Sequence, residues 1–324
     1  MNSPKMTIFS TPKPFNDPHI ATIQYNAIQS WKELGDDVSI FLIGDEYGVK
    51  ELAHELGVNY AQDVIRNSQG TPLLSSIFEL GRNLNQSPIL AYINADIIIF
   101  SDFIVAAVNT SKQMDEFLLV GQRWDLEVNQ RIDFSKNWQD ALKDNCSKNG
   151  KLHPRGGSDY FIYPRKCFST IPDFAVGRAG WDNWMFYQAR RNNWACIDCS
   201  KAIQIIHQNH DYSHLPGGQT HYRLPETNEN VRLAGGKRAI FTLMDVNYEM
   251  ENNQIKKYPL SWKKFWREVE IFPLVTFKSK WLTQLFFSIF HPYKAYNEFR
   301  NMRSEIKKKE RKDHAKRSKP CQIC

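Results

Sequence analysis

The stretch YINADIII, residues 92–99, decides the fold prediction because a polar triplet separates two apolar runs. The run before the triplet, 87–93, is typical of a buried strand, and 97–99 is a second apolar run. A carboxylate such as that of Asp96 is costly to bury unless it is paired or binds a metal. We therefore expect Asp96 to have a specific partner at the end of a strand.

Strand and helix signals alternate through the first half of the chain. Apolar runs at 7–10 and Val38–Ile43 predict strands. Helical spacing predicts helices after the N-cap candidate Asp17, from Val49, and from 71–72. This alternation predicts an α/β fold with a mostly parallel central sheet flanked by helices. Ligands bind beyond the carboxyl ends of such strands. The segments that follow predicted strands are 10–14, 44–46 and 94–96.

Composition and charge describe a folded protein with a basic tail. The chain has 324 residues, of which 42% are hydrophobic, and a formal net charge of +7. Residues 301–324 hold nine lysines and arginines and three acids, which accounts for +6 of that charge. The basic balance therefore belongs to the tail and predicts no nucleic-acid partner for the body of the protein.

At the 94–96 triplet the chain resembles the GT-A glycosyltransferases, also called the nucleotide-diphospho-sugar transferase superfamily. In that family a short acidic motif, often D-x-D, follows a buried strand and holds a divalent ion against the donor diphosphate. The resemblance covers roughly residues 6–225. It implies the GT-A fold, a nucleotide-diphosphate sugar as donor, and Mn²⁺ or Mg²⁺ as the metal, because both ions prefer oxygen ligands.

The triplet departs from the family pattern because Asn94 replaces the first acid. The resemblance carries Asp96 over as a metal ligand, and Asn94 only as a hydrogen-bonding group near the sugar or ribose. A single carboxylate implies a weaker metal site, or none. The alternative is that Asp96 caps a following turn or helix.

Three further residues match the donor side of the family. Asp45 follows the second predicted strand and is expected at the ribose or base, and Thr11 follows the first strand and is expected near the base. Arg66 precedes the third predicted helix and is expected to pair with a phosphate. The alternatives are an acid favoured by the helix dipole for Asp45, and ordinary loop residues for Thr11 and Arg66.

The second half carries the acceptor-side candidates. Asp182 stands at the head of a predicted helix, and the resemblance assigns it the deprotonation of the acceptor hydroxyl in an inverting reaction. Asp159 is the second catalytic candidate. Trp181 or Trp184 is expected to offer a stacking face to a sugar ring. The alternative is a capped helix whose tryptophans lie in the core.

Three histidines end or follow the predicted strand 202–207: His207, His210 and His214. Many GT-A enzymes complete the metal site with a histidine in this region. The resemblance therefore names His207 first and His210 next as metal ligands. A structural role is the alternative for either side chain.

We expect three parts along the chain: a GT-A glycosyltransferase domain at 1–225, an aromatic and basic helical extension at 226–300, and a polybasic flexible tail at 301–324. Basic residues among bulky aromatic ones in 262–299 are typical of a membrane-surface segment, to which the tail would add attraction for anionic lipid. The alternative is a helical subdomain packed on the core. No signal peptide or membrane-length apolar run is visible, so we expect a cytoplasmic protein, peripheral on the membrane under the first interpretation.

The six cysteines are too sparse for a disulfide framework and indicate a reducing compartment. Two C-x-x-C pairs, at 196–199 and 321–324, would together supply four zinc ligands, although they lie far apart. The terminal residues also resemble a C-a-a-X prenylation box. Two unremarkable cysteine pairs are the alternative.

The predicted function is metal-assisted transfer of a sugar from a nucleotide-diphosphate donor to a hydroxyl of a glycan, lipid or small-molecule acceptor. A sugar-nucleotide pyrophosphorylase is disfavoured because 10–15 contains no glycine, and a Rossmann dehydrogenase because no G-x-G-x-x-G follows the first strand. A non-enzymatic nucleotide-sugar or membrane-surface binding protein of the same fold is the alternative. The donor sugar, base, acceptor and stereochemical outcome stay open.

Overall fold

A computed structural model describes residues 4–135, 137–210 and 224–317, and within the last helix it describes side chains through 304 and at 307. The chain divides into two compact units, Met1–Leu260 and Ser261–Cys324. The cysteine pair at 321–324, and with it the C-a-a-X prediction, lies outside the described residues, as does His214.

The first unit contains all the strands of the described residues. In chain order they are β1 (Met6–Ser10), β2 (Val38–Ile43), β3 (Asn59–Ala61), β4 (Ile89–Ile93), β5 (Ile97–Ile99), β6 (Phe117–Val120), β7 (Trp124–Leu126), β8 (Lys151–Leu152), β9 (Tyr160–Pro164), β10 (Ala195–Asp198), β11 (Ile205–Gln208), β12 (Tyr248–Glu251) and β13 (Gln254–Lys257). Its helices are α1 (Pro18–Lys32), α2 (Val49–Leu56), α3 (Leu74–Asn83), α4 (Asp102–Ser111), α5 (Trp138–Asn149), α6 (Trp181–Arg191) and α7 (Pro225–Leu233).

Nine of these strands form one mostly parallel sheet in the order β13-β12-β10-β6-β9-β4-β1-β2-β3. Strand β9 runs antiparallel between β4 and β6, and β13 runs antiparallel at the edge, whereas the other neighbours are parallel. The predicted α/β fold, a mostly parallel sheet flanked by helices, is confirmed. Strands β12 and β13 belong to this sheet although they follow residue 225, where the sequence placed the end of the first domain.

The strand order reverses beside β1, because β2 and β3 lie on one side of it and β4 lies on the other. In open α/β sheets the crevice at such a reversal, beyond the carboxyl ends of the strands, is the ligand-binding position. The segments that leave the two strands there are 11–14 after β1 and 94–96 after β4. The topology therefore brings two of the three sequence-selected segments to the same crevice.

A second sheet, in the order β5-β11-β7-β8, adjoins this position because β5 begins one residue after Asp96. Strand β11 pairs antiparallel with β5 and parallel with β7. Helix α1 holds β5 in place: the buried Trp31 donates from Nε1 to the Ile97 carbonyl at 2.8 Å, and the Ser30 hydroxyl accepts from the Ile99 amide at 3.2 Å. Two side chains of one helix thus fix the backbone that follows the triplet.

Two predicted helix starts have different outcomes. The Asp17 cap is confirmed, because its carboxylate accepts from the amides of His19 and Ile20 at 2.9 Å. The predicted start at 71–72 is wrong, because α3 begins at Leu74. The preceding backbone stays extended and forms isolated bridges, Pro72 with Arg66 and Leu73 with Ala175.

The second unit is helical, as the sequence predicted for a C-terminal extension, and consists of α8 (Trp262–Val275), α9 (Lys280–Phe290) and α10 (Pro292–Arg317). Helix α10 continues across residue 300, although the sequence predicted that a separate tail begins at 301. Within the described part of the chain, no helix combines the length and the apolar character needed to cross a membrane.

Helix α3 packs closely on β1, and this contact yields a stability prediction. A Cβ added at Gly81 would lie 2.5 Å from the nearest ring carbon of Phe9, which is fully buried. Alanine is the better helix former by about 1 kcal/mol, yet overpacking a core costs about 1–3 kcal/mol. We expect Gly81→Ala to lower the free energy of unfolding, measured by denaturant titration.

The matched control is Gly156→Ala, since a Cβ at Gly156 meets nothing within 4 Å. We expect this control to change the free energy of unfolding by no more than about 0.5 kcal/mol. A Gly81→Ala protein as stable as the wild type would contradict the close α3–β1 packing.

Candidate active site

Asp96 lies at the centre of the crevice and is buried, with 8% of its surface exposed. Its Oδ2 atom is 3.1 Å from Nε2 of His210 and 3.4 Å from Nζ of Lys13. Its Oδ1 atom is buried and has no hydrogen-bond partner within the described residues. Burial acts to raise the pKa of Asp96, but the Lys13 ammonium and the imidazoles of His210 and His207 outweigh it and hold that pKa far below its usual range.

The second sheet brings the histidines to this carboxylate. In the β5–β11 ladder His207 stands opposite Ile97, next in sequence to Asp96. One ligand atom from each of Asp96, His207 and His210 lies within 4.8 Å of the others. The three residues that the sequence named as metal ligands are therefore neighbours in space.

A buried glutamine, Gln208, holds the backbone of Asp96. Its side-chain amide donates to the Asp96 carbonyl at 3.1 Å and to the Ile23 carbonyl of α1 at 2.7 Å. Its side-chain oxygen accepts from Asn26 at 3.1 Å. Gln208 is not recognisable from the sequence, because a glutamine at a strand end carries no signal until the strand's neighbours are known.

Behind His207 stands a second carboxylate, Asp125 of β7. Its Oδ1 atom is 3.2 Å from Nδ1 of His207, and its Oδ2 atom is 2.8 Å from Nδ1 of His153. Burial acts to raise the pKa of Asp125, but the contacts with His207, His153 and Arg123 lower it. Although the two atoms are close, Nδ1 of His207 makes no hydrogen bond within the described residues, so the Asp125 carboxylate acts on this imidazole through its charge.

The donor set fits a divalent cation. It combines one carboxylate that has an unpartnered buried oxygen with two imidazoles, one of which lies beside Asp125. Oxygen and imidazole ligands suit Mn²⁺ better than an all-sulfur or an all-amide site would. The assignment of Asp96, His207 and His210 as ligands stays a prediction, which the arrangement makes chemically consistent.

The side-chain amide of Asn94 donates a hydrogen bond that a carboxylate could not make. Its Nδ2 atom donates to Oδ1 of Asp159 at 2.9 Å, and its backbone amide donates to the Asp159 carbonyl at 3.0 Å. A carboxylate at position 94 would face the Asp159 carboxylate as a like charge. An amide at position 94 therefore suits the neighbouring carboxylate of Asp159, the second catalytic candidate.

Arg123 joins these groups into one network. Its Nη1 atom donates to both Asp159 oxygens at 2.9 and 3.0 Å, and its Nε atom donates to Asp125 at 2.9 Å. Burial acts to lower the pKa of Arg123, but the two carboxylates raise it above its usual value. Contacts therefore run from Asn94 through Asp159, Arg123 and Asp125 to His207.

Asp182 lies at the first turn of α6 as predicted, and it is partly buried. Burial is the main cause that raises the pKa of Asp182 to about 6; the amides of Asn183 and Gly180 oppose the shift, and the negative charge of Asp159 adds to it. A Cβ on Gly157 would lie 2.7 Å from Oδ2 of Asp182. The carboxylate therefore occupies space that is open because residue 157 has no side chain.

The neighbouring tryptophans are core residues, so the expectation that they offer a stacking face is wrong. Trp181 and Trp184 are each only 7% exposed. The Trp181 ring packs against Tyr92 and Phe161, and the Trp184 ring packs against Phe174. Their helical positions turn inward because α6 covers the large sheet.

Of the remaining donor-side candidates, Thr11 follows β1, Asp45 follows β2, and Arg66 lies between β3 and α3. Arg66 forms ion pairs with Asp45 and with Glu46, the latter at 2.8 Å. Burial acts to lower the pKa of Arg66, but Glu46 and Asp45 raise it. The Thr11 hydroxyl is buried without a hydrogen-bond partner within the described residues. The structure thus joins Asp45 to Arg66, and the roles of all three candidates toward a nucleotide stay predictions.

Comparisons with known proteins give structural similarity alone. No family model and no curated protein matches the sequence. The chain is similar to S. aureus TarS residues 1–349 in complex with UDP-GlcNAc, with 10% identity, a TM-score of 0.47, and coverage of 71% of this chain and 65% of that one. It is also similar to M. tuberculosis glucosyl-3-phosphoglycerate synthase, with 14% identity, a TM-score of 0.46, and coverage of 80% and 88%. The chain therefore spans less than two-thirds of the TarS fragment.

The charge repulsion between Asp159 and Asp182 yields a pKa prediction. Replacing Asp159 with Asn removes a negative charge that opposes ionisation of Asp182, while Arg123 remains in place. We expect the pKa of Asp182 to fall below about 6 in Asp159→Asn, as measured by carbon NMR of the carboxyl groups across a pH titration. Asp144→Asn, on the exposed face of α5, is the control that leaves it unchanged. An unchanged or higher pKa in Asp159→Asn would show that the two carboxylates do not interact.

Proposed function

We propose that the protein is a metal-assisted glycosyltransferase that moves a sugar from a nucleotide-diphosphate donor to an acceptor hydroxyl. The observation that carries this proposal is the meeting of Asp96, His207 and His210 at the reversal of strand order in a mostly parallel sheet. Such a crevice is where this class of sheet binds ligands, and its donor set suits the ion that accompanies a diphosphate.

On the donor side, Asp96, His207 and His210 would hold Mn²⁺ or Mg²⁺. When bound, the ion neutralises the charge that develops on the diphosphate leaving group. Thr11 after β1, Asp45 after β2 and Arg66 after β3 would contact the nucleoside and its phosphates. Asn94, held by Asp159, would keep its side chain at the edge of the sugar subsite.

On the acceptor side, Asp182 would be the base of an inverting reaction. Because its pKa is about 6, it is mostly ionised at neutral pH and still basic enough to accept a proton. The acceptor oxygen gives its proton to this carboxylate and bonds to the anomeric carbon. The glycosyl–phosphate bond breaks, and the nucleoside diphosphate leaves with the bonding electrons. Asp159 would act through its charge on Asp182.

The test is transfer or donor hydrolysis, screened with UDP-, GDP- and TDP-sugars in the presence of Mn²⁺. We expect Asp96→Asn to lower the metal-dependent rate by on the order of 100-fold, as for the loss of one main electrostatic group at a transition state. Asp144→Asn, which removes an exposed carboxylate paired to Lys148, is the matched control with full activity.

Full, Mn²⁺-dependent activity in Asp96→Asn would overturn the role of Asp96. Nucleotide-sugar binding with neither transfer nor hydrolysis across the panel would favour the alternative function, a non-enzymatic binding protein of the same fold.

We further propose that the second unit binds an anionic membrane surface. Along α9 the side chains of Trp281, Leu285 and Ile289 recur every fourth residue and are exposed, whereas Thr283 and Phe287 on the other face are buried. Trp262 of α8 is 74% exposed. Exposed apolar helix faces of this kind suit the interface of a lipid bilayer.

Charge supports an anionic surface. Residues 261–324 hold 16 lysines and arginines against 6 aspartates and glutamates, whereas 1–260 hold 26 against 29. Each basic residue near an anionic surface contributes about 1 kcal/mol, and salt screens that attraction. The excess of positive charge is therefore confined to the unit that carries Trp262 and Trp281.

Vesicle co-sedimentation of the full chain tests this partner. We expect binding to vesicles containing phosphatidylserine, weaker binding to pure phosphatidylcholine, and loss of binding as salt is raised. The double variant Trp262→Ala, Trp281→Ala should bind several-fold more weakly. Tyr47→Ala, at an equally exposed aromatic of the first unit, is the control. Equal binding by the double variant and the control would exclude this face.

A further inference from the structure

Lys13 is a loop residue whose backbone is held in place by a helix side chain. It follows β1 at the crevice, and its backbone is held by the side chain of Gln24 in α1. The Lys13 amide donates to Oε1 of Gln24 at 2.6 Å, and Nε2 of Gln24 donates to the Lys13 carbonyl at 2.9 Å. Because Gln24 is buried, the backbone of Lys13 is fixed and its partly exposed side chain is the part that can move.

The ammonium of Lys13 contacts two of the side chains that a metal would need. Its Nζ atom is 3.4 Å from Oδ2 of Asp96 and 3.0 Å from Nε2 of His210. A lone pair that accepts from an ammonium is not available to a cation, and a divalent ion at these atoms would face a like charge at short range. The two cations would therefore compete for Asp96 and His210.

We infer that Lys13 is a built-in cation that competes with the divalent metal for Asp96 and His210 and withdraws when the metal binds. With no metal, its charge compensates the buried carboxylate, which is otherwise costly. With metal, the same compensation comes from the ion. Lys13 thereby sets the metal affinity of the site. This inference rests on the metal site of the proposed function.

The experiment is Mn²⁺ binding to the full chain, followed by electron paramagnetic resonance of the free ion. Lys13→Met removes the competitor, and we expect about tenfold tighter Mn²⁺ binding, the gain from losing one competing charge-assisted hydrogen bond. Lys13→Gln is measured beside it in case the methionine variant folds poorly, with thermal unfolding as the check. Lys13→Arg keeps the charge and should bind Mn²⁺ no more tightly than the wild type.

Lys5→Met is the matched control, because Lys5 pairs with the exposed Asp37 at 2.7 Å and should leave Mn²⁺ affinity unchanged. Unchanged or weaker binding in Lys13→Met and Lys13→Gln, with a wild type that binds Mn²⁺, overturns the role of Lys13 and leaves the proposed metal site standing. Binding that appears only after Lys13 is removed supports the inference. Absence of binding in every variant overturns both the metal site and the competition.

Discussion

The need to compensate one buried carboxylate, that of Asp96, organises the crevice. The side chain lies where the strand order reverses, and one of its oxygens has no partner within the described residues. Segments distant in sequence supply positive or polarisable groups to it: Lys13 after β1, and His207 and His210 at the end of β11. Helix α1 serves both sheets, because Trp31 holds β5 while Gln24 holds the Lys13 loop.

The sequence predicts the fold and the centre of this site, but it does not predict the surroundings. Asp96 and His207 were recognisable because each ends a run of apolar residues, so their polarity is out of place locally. Lys13, Asp125 and Arg123 carry no such signal. Their contacts join residues 28 to 83 positions apart, and strand order alone makes them neighbours. Tertiary packing also decided the positions of the α6 tryptophans, which lie in the core and not at the surface where a stacking face was expected.

Asn94 shows how an apparent defect in a motif depends on context. From the sequence alone, an amide in place of an acid weakens the metal hypothesis. In the structure the amide donates to Asp159, and Asp159 in turn accepts from Arg123. An acid at position 94 would place a second negative charge against Asp159 and leave one of its hydrogen bonds unmade. The amide at position 94 is therefore explained by the carboxylate of Asp159, which immediately precedes β9.

The network through Arg123 has a thermodynamic consequence. The charges of Asp182 and Asp159 repel each other. Close polar contacts continue from Asp159 through Arg123 and Asp125 to His207. The electrostatic free energies of the groups on the two sides of the crevice therefore depend on one another. A ligand that neutralised one end would alter the affinity of the other end, and reciprocity would make the two effects equal in size. Under the proposed function, occupancy of the donor half of the crevice would thus be linked to occupancy of the acceptor half.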